Sequence, residues 1–407
     1  MSTIPLSLQD DCSANDVKIL LDFLEQQGTF RFPTLQNGLF SAAAGEGGDF
    51  DLTGYRNVWV RDNIHIAHAH WQWGETGKAV AAIKSLMAFY VKYKHRFTDI
   101  IDGRVSADDP MHRPHIRFDG DRLTELREKW SHAQNDALGA FLWLAAKLSE
   151  ECQWTADETA VLDTVAKFLT SIHFWNDEDS GHWEEVRKIA ASSIGVATAA
   201  LEVWDSNLAR PGQAALESIL PWECRQDDAA KKRRYDSALL FLIYPYQVVA
   251  PEMADQIVQD VTNHLLGDYG IRRYLGDSYW CADYKQKLAA DVRTADFSDN
   301  LESRDRLLEP GLEAQWCLFD PMIAIHYGLR FKRTGDLADR HRQIRHLNRA
   351  LGQITDSHSR FGAYRCPESY FSENGRYVPN DICPLLWTQA NLKLALVHLI
   401  RDLHEQV

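Results

Sequence analysis

The sequence predicts an all-α chain of about a dozen helices, and three observations carry that reading. Apolar residues recur at helical spacing along almost the whole length of 407 residues, strand-like alternation is sparse, and the breaks between periodic segments have no Ser/Gly linker character. No break reads as a domain boundary, so residues 1–407 are expected to form one unit.

Taken in order, Val17, Leu20, Leu21 and Leu24 make the first stripe, behind Ser13 and Asp16 at the spacing of a capping box. Further helices are expected at about 60–73, 76–94, 133–151, 156–174, 189–205, 227–244, 252–266, 311–333, 335–354 and 384–404. The stretch 206–226 has room for a twelfth. In the last helix Leu385, Leu392, Leu396, Leu399 and Leu403 share a stripe, with Pro384 in the first turn, where a missing N–H is tolerated. Loops 29–58, 97–130, 175–188, 268–308 and 355–383 separate these elements and hold much of the Arg, Asp, Glu, Trp and Tyr. Such loops carry function when a rigid scaffold holds them.

The chain has 58 acidic and 44 basic side chains, a net charge of −14, which argues against nucleic acid or an anionic membrane as partner. Thirteen Trp, fourteen Tyr and seventeen Phe are more than a core of this size needs, and such rings are platforms on which sugars stack. Seven scattered cysteines, an odd number without a C-x-x-C pair, read as reduced thiols. The first residues lack the basic and apolar regions of a leader, and no apolar run reaches membrane-spanning length, so a cytoplasmic location is expected.

Candidate chemistry lies in the loops. In SGHWEEVRK, Trp183 precedes Glu184 and Glu185; an aromatic neighbour raises a carboxyl's pKa and keeps it protonated as a general acid. Two solvated glutamates at a helix N-terminus are the plainer alternative. Far downstream, Glu368 in YRCPESYF is a second carboxylate beside aromatics, and glycoside hydrolysis needs such a pair, one to protonate the leaving oxygen and one to activate water. A surface loop residue is the alternative there. Arg61 and Asp62, after Trp59 in VWVRDN, could clamp sugar hydroxyls or form a helix-capping salt bridge. Trp130, followed by Gln134, Asn135 and Asp136, and the pair Arg273 and Asp277 have the same mixed character.

The run His65, His68, His70 lacks further ligands at zinc spacing and reads as helix surface or hydrogen-bonded core, so no metal or other cofactor is expected. GEGGDF at 45–50 reads as a turn, since it lacks the spacing of a phosphate cradle.

Taken in order, the segments VWVRDN, WSHAQNDA, HWEEV followed by ASSIGVATAALE, YDSALLFLIYPYQVV, YGIRRYLGDSYW, EAQWCLFDPMIAIHYG and PESY to CPLLWTQANLKLAL resemble glycoside hydrolase family 15, the glucoamylase family. Their layout is close to that of the glucoamylase-like domain of phosphorylase kinase α and β regulatory subunits. The resemblance spans about residues 35 to 400. It implies an (α/α)6 barrel, a toroid of six helical hairpins, and an inverting exo-acting α-glucosidase that releases β-glucose from short α-linked gluco-oligosaccharides. By the same resemblance Glu184 is the general acid and Glu368 the general base. Glu185 would contact the sugar past the scissile bond, while Trp59, Arg61, Asp62, Trp130, Arg273, Asp277 and Trp316 would bind substrate. The kinase subunits lack the second Glu of W-E-E, which this chain keeps. A trehalase, an isomaltose-type glucohydrolase and a non-catalytic glucan-sensing domain are the alternatives.

Overall fold

The computed structural model describes residues 6–45, 50 and 52–404; most of the turn read at 45–50 therefore lies outside the described residues. Six segments follow one another around a closed inner ring: Val60–Gln72, Asn135–Leu148, Ala191–Trp204, the 3₁₀ stretch Ser237–Leu242, Phe319–Thr334 and Leu386–His404, which packs back on the first. Each carries an outer partner, in the same order Thr76–Lys92, Ala156–Ser171, Ser206–Ile219, Pro251–His264, Leu337–Gly352 and the N-terminal Ala14–Gln26. The architecture is the expected (α/α)6 barrel.

Burial separates the two rings. Every residue from Val60 to His70 and from Ala191 to Leu201 is buried, as befits helices enclosed on all sides. Ala14–Gln26, by contrast, buries only Val17, Leu20, Leu21 and Leu24, and its Ser13–Asp16 capping box is formed. Two inner helices approach so closely that a Cβ on Gly139 would lie 2.8 Å from the Ala197 backbone, which is why a small-residue sequence such as ASSIGVATAA occurs there.

Three expectations need correction. The stretch 227–244 is not one helix: Cys224–Arg225 pairs with Lys232–Arg233 as a hairpin, and the apolar run forms the 3₁₀ helix. The Asp236 carboxylate takes the Ala238 N–H, and Pro245 cannot extend a helix. The expected helix at 311–333 starts at Phe319, because Gln315–Trp316 instead pairs with Ser369 and Tyr370. Leu386 begins the last helix, so Pro384 precedes it rather than sitting in its first turn.

Short strands, not anticipated in the loops, build one face of the barrel. Arg117–Asp119 pairs with Val58–Trp59 and with Thr124–Glu125, and Gln315–Trp316 joins the hairpin Ser369–Glu373 and Arg376–Pro379. The seven cysteines are all free. Among the described residues no helix is long and apolar enough to cross a membrane.

Candidate active site

A cavity opens where these strands and the loops that lead into the inner helices converge, lined by Trp59, Arg61, Asp62, Trp130, Glu184, Arg273, Trp316 and Glu368 among others. Eight of the ten residues expected to serve substrate thus share one wall.

Glu184 follows the 3₁₀ turn Gly181–Trp183 and adopts the left-handed conformation at φ 56°. Gly181, at φ 58°, takes the left-handed conformation without cost, whereas Glu184 does so at a cost that packing must offset. The bridge between the Asp179 and Lys188 backbones closes the loop, and Ser180 N–H donates to the Ala133 carbonyl. Glu184 Oε1 accepts from Trp59 Nε1 and from Gln134 Nε2, both at 3.1 Å. Burial raises the pKa of this carboxyl, and the Arg61 guanidinium, 4.0 Å away, offsets part of that rise.

Glu368 is held differently. Its backbone N–H donates to Ile382 O and its carbonyl accepts from Cys317 N, which fixes the main chain between two neighbours. Oε1 accepts from Tyr55 Oη at 2.8 Å and Oε2 from Asn380 Nδ2 at 2.6 Å. Burial pushes its pKa up to about 7 against the pull of these two donors. Asp62 is likewise raised to about 7 by burial, with Glu184 and Glu368 adding to the rise and Arg61 opposing it. Three carboxyls lining one cavity cannot all ionise at low cost.

The Arg61–Asp62 dipeptide is split by its helix. Arg61 Nε pairs with Asp136 Oδ2 at 2.5 Å, and its Nη2 donates to Gln134 Oε1 and, at 3.1 Å, to the Gly181 carbonyl, so it ties two cavity loops together. Asp62 faces the cavity. Arg273 makes a double hydrogen bond to Asp277, both at 2.6 Å, and its guanidinium carbon lies 5.0 Å from Tyr279, 5.0 Å from Trp316 and 5.1 Å from Trp183. A cation so enclosed by aromatic faces is fixed in place.

Two expected residues are not on the wall. Asp277 is fully buried behind Arg273, and Glu185 is 2% exposed, its Oε1 bonded to Lys188 Nζ at 2.8 Å and Arg233 at 2.7 Å. Tyr274 Oη donates to its other oxygen. These cations hold its pKa well below the usual range despite burial. The left-handed turn at Glu184 sends adjacent carboxyls to opposite sides. Trp183, expected to set the polarity around Glu184, donates Nε1 to Asp236 at 2.8 Å; Trp59 is the indole bonded to the carboxyl.

Sequence reasoning did not single out Tyr55, Tyr279, Asn380 or Trp387. Tyr55 lies four residues ahead of Trp59 and Asn380 twelve beyond Glu368, and neither distance signals a contact. The His65 run is buried core: His65 stacks on Trp387 at 4.4 Å, and burial lowers the pKa of all three histidines. Among the described residues no group of three or more His, Cys, Asp or Glu is placed to hold a metal ion.

A toroid of six helical hairpins, with a cavity of carboxyls and aromatic rings at one end, is a glycoside hydrolase-type fold. The profile of glycosyl hydrolases family 15 matches residues 28–306, and the chain belongs to that family. A probable phosphorylase b kinase regulatory subunit alpha from Caenorhabditis elegans is 26% identical over 263 residues, covering 55% of this chain and 21% of that protein. The chain thus spans about a fifth of the length of that curated relative. A glycosidase variant solved in complex with glucose is similar at TM-score 0.65 and 16% identity over 97% of this chain and 99% of that one. The glucoamylase of Hormoconis resinae is similar at TM-score 0.60 and 12% identity, over 95% and 73%.

Proposed function

We propose that residues 1–407 form one catalytic domain, an inverting exo-acting α-glucosidase that removes glucose from the non-reducing end of short α-linked gluco-oligosaccharides in the cytoplasm. The observation that carries this reading is the contrast between the two carboxyls. Burial raises the pKa of both, so the contrast lies in how they are held: the Trp59 and Gln134 donors both meet the one oxygen Oε1 of Glu184, which suits a carboxyl that carries a proton to donate. Both oxygens of Glu368 accept hydrogen bonds, which favours its ionised form as a base. Free cysteines support the location.

In this mechanism Asp62, Arg61 and Arg273 hold the terminal glucose, with Trp59, Trp130 and Trp316 against its faces. Glu368 takes a proton from water as the water oxygen bonds to the anomeric carbon. The glycosidic bond breaks on the opposite face, and Glu184 gives its proton to the leaving oxygen. One displacement inverts the anomeric centre, so an α-glucoside yields β-glucose. Asp277 and Glu185 act from behind the wall, through Arg273 and through the Lys188–Arg233 cluster.

Glucose release from maltose, maltotriose, isomaltose, trehalose and soluble starch tests the activity and its linkage; a trehalase or isomaltose-type enzyme would show in the ranking. Proton NMR in the first minutes of turnover should show the β-anomer ahead of the α, and α-glucose first would overturn the mechanism. The regulatory subunits among the relatives favour a second reading, a domain that binds glucan without cleaving it. Saturable binding with no glucose released from any substrate would establish that reading instead.

A further inference from the structure

We infer that Arg117 is a positioning residue for Glu184: wedged against Trp59 and Trp130, its guanidinium holds the two indoles around that carboxyl and places an uncompensated positive charge behind them. The inference rests on the glucosidase reading.

Arg117 opens the strand Arg117–Asp119 and stands directly opposite Trp59 in the ladder. The rings of Trp59 and Trp130 meet edge to face, centres 6.0 Å apart at 80°, and the guanidinium carbon occupies the corner between them, 4.9 Å from one centre and 4.1 Å from the other. From that corner Trp59 reaches Glu184 through Nε1. The loop above leaves no slack: Gly54 is at φ 72°, and a Cβ there would lie 2.4 Å from Arg117 Nη2. The next residue is Tyr55, which reaches Glu368.

What sets this arginine apart is its lack of an anion. Among the described residues it forms no ion pair, and its buried Nε has no hydrogen-bond partner. Arg117 is half-buried, and a cation withdrawn from water is normally paired, because leaving one unpaired is costly. Arg61 and Arg273, on the same cavity, each have a carboxylate partner. Burial duly lowers the Arg117 pKa, with Glu184, Glu128, Tyr55 and Asp296 acting against that fall. Around Glu184 the helix Val60–Gln72 contributes Arg61 and Asp62, the loop before Ser369 contributes Glu368, and the Arg117 strand contributes this charge. Arg61 also reaches Glu184, at 4.0 Å, but shares its charge with Asp136, and Arg117 adds a second, unshared cation to stabilise the anion that forms when Glu184 gives up its proton.

Arg117→Met tests this on the disaccharide the chain cleaves best, beside α-glucosyl fluoride, whose leaving group needs no proton. The basic limb of the kcat/KM profile, which reports protonated Glu184, should move up by about 0.5–1 pH unit. kcat on the disaccharide should fall by on the order of tenfold while kcat on the fluoride stays unchanged. Arg117→Lys, which keeps the charge, should leave the limb in place. Should Arg117→Met fail to fold, Arg117→Gln keeps a planar head over the indoles and tests the charge alone. An unmoved limb, or an equal loss on both substrates, overturns the role. A wild-type chain that turns over neither substrate overturns the glucosidase reading and this inference with it.

Discussion

Tyr55 Oη donates to Glu368 Oε1 at 2.8 Å and lies 3.0 Å from Tyr279 Oη. Since the one Tyr55 proton is committed to the carboxylate, Tyr279 is the donor to Tyr55, and the three groups form a directed chain ending on Glu368. The bond favours the ionised carboxyl and opposes the burial that lifts its pKa to about 7.

Removing that donor should lift the Glu368 pKa further. In Tyr55→Phe the acidic limb of kcat/KM, set by ionisation of Glu368, is expected to move upward from near pH 7, with kcat/KM at pH 6 lower by about tenfold. A pH–rate profile checks this. A limb that stays in place would separate Tyr55 from the ionisation of Glu368.

Glu184→Gln should fold normally and lose about 10²–10⁴ in kcat on maltose or its best substitute. α-Glucosyl fluoride, which needs no acid, should retain most of its turnover. Stopped assays on both substrates decide it, and equal losses would remove Glu184 from the acid role.

Glu368 should also be a stability liability. A carboxyl whose folded pKa is raised binds more protons in the folded state between the ordinary glutamate value and about 7, so stability falls as pH rises through that window. Glu368→Gln is therefore expected to be inactive yet more stable than wild type at pH 8, by about 1–3 kcal/mol. The difference should vanish below about pH 4. Urea unfolding at the two pH values measures it.

Glu185 should behave in the opposite sense. Its folded pKa is depressed, so its contribution is present above the unfolded value and lost as pH falls through the folded one. Glu185→Ala leaves Lys188 and Arg233 beside an uncharged gap and should cost about 3–5 kcal/mol at neutral pH. Thermal unfolding reads this, and a loss of turnover with no loss of stability would place Glu185 at the substrate instead.

Local order was largely legible. The capping box at Ser13, the stripe from Val17 to Leu24 and the breaks between helices depend on neighbours within a turn or two, so the sequence by itself determined most of the barrel's helices. It also singled out Glu184 and Glu368, because family 15 motifs are short and contiguous. Where periodicity is silent it failed: ALLFLI is apolar on every face, and no local pattern distinguishes a helix there from the 3₁₀ stretch that fills the fourth inner place.

The sides to which the carboxyls turn were decided only by the tertiary structure. Glu184 and Glu185 are adjacent in sequence and alike in chemistry, yet a left-handed backbone at one places it on the cavity wall and the other among Lys188, Arg233 and Tyr274. Tyr55 and Glu368 are 313 residues apart, and Arg117 reaches Trp130 only because its strand pairs with Trp59. A carboxyl's ionisation depends on burial and on charges within a few ångströms, and those neighbours come from loops that only the closed ring of helices brings together.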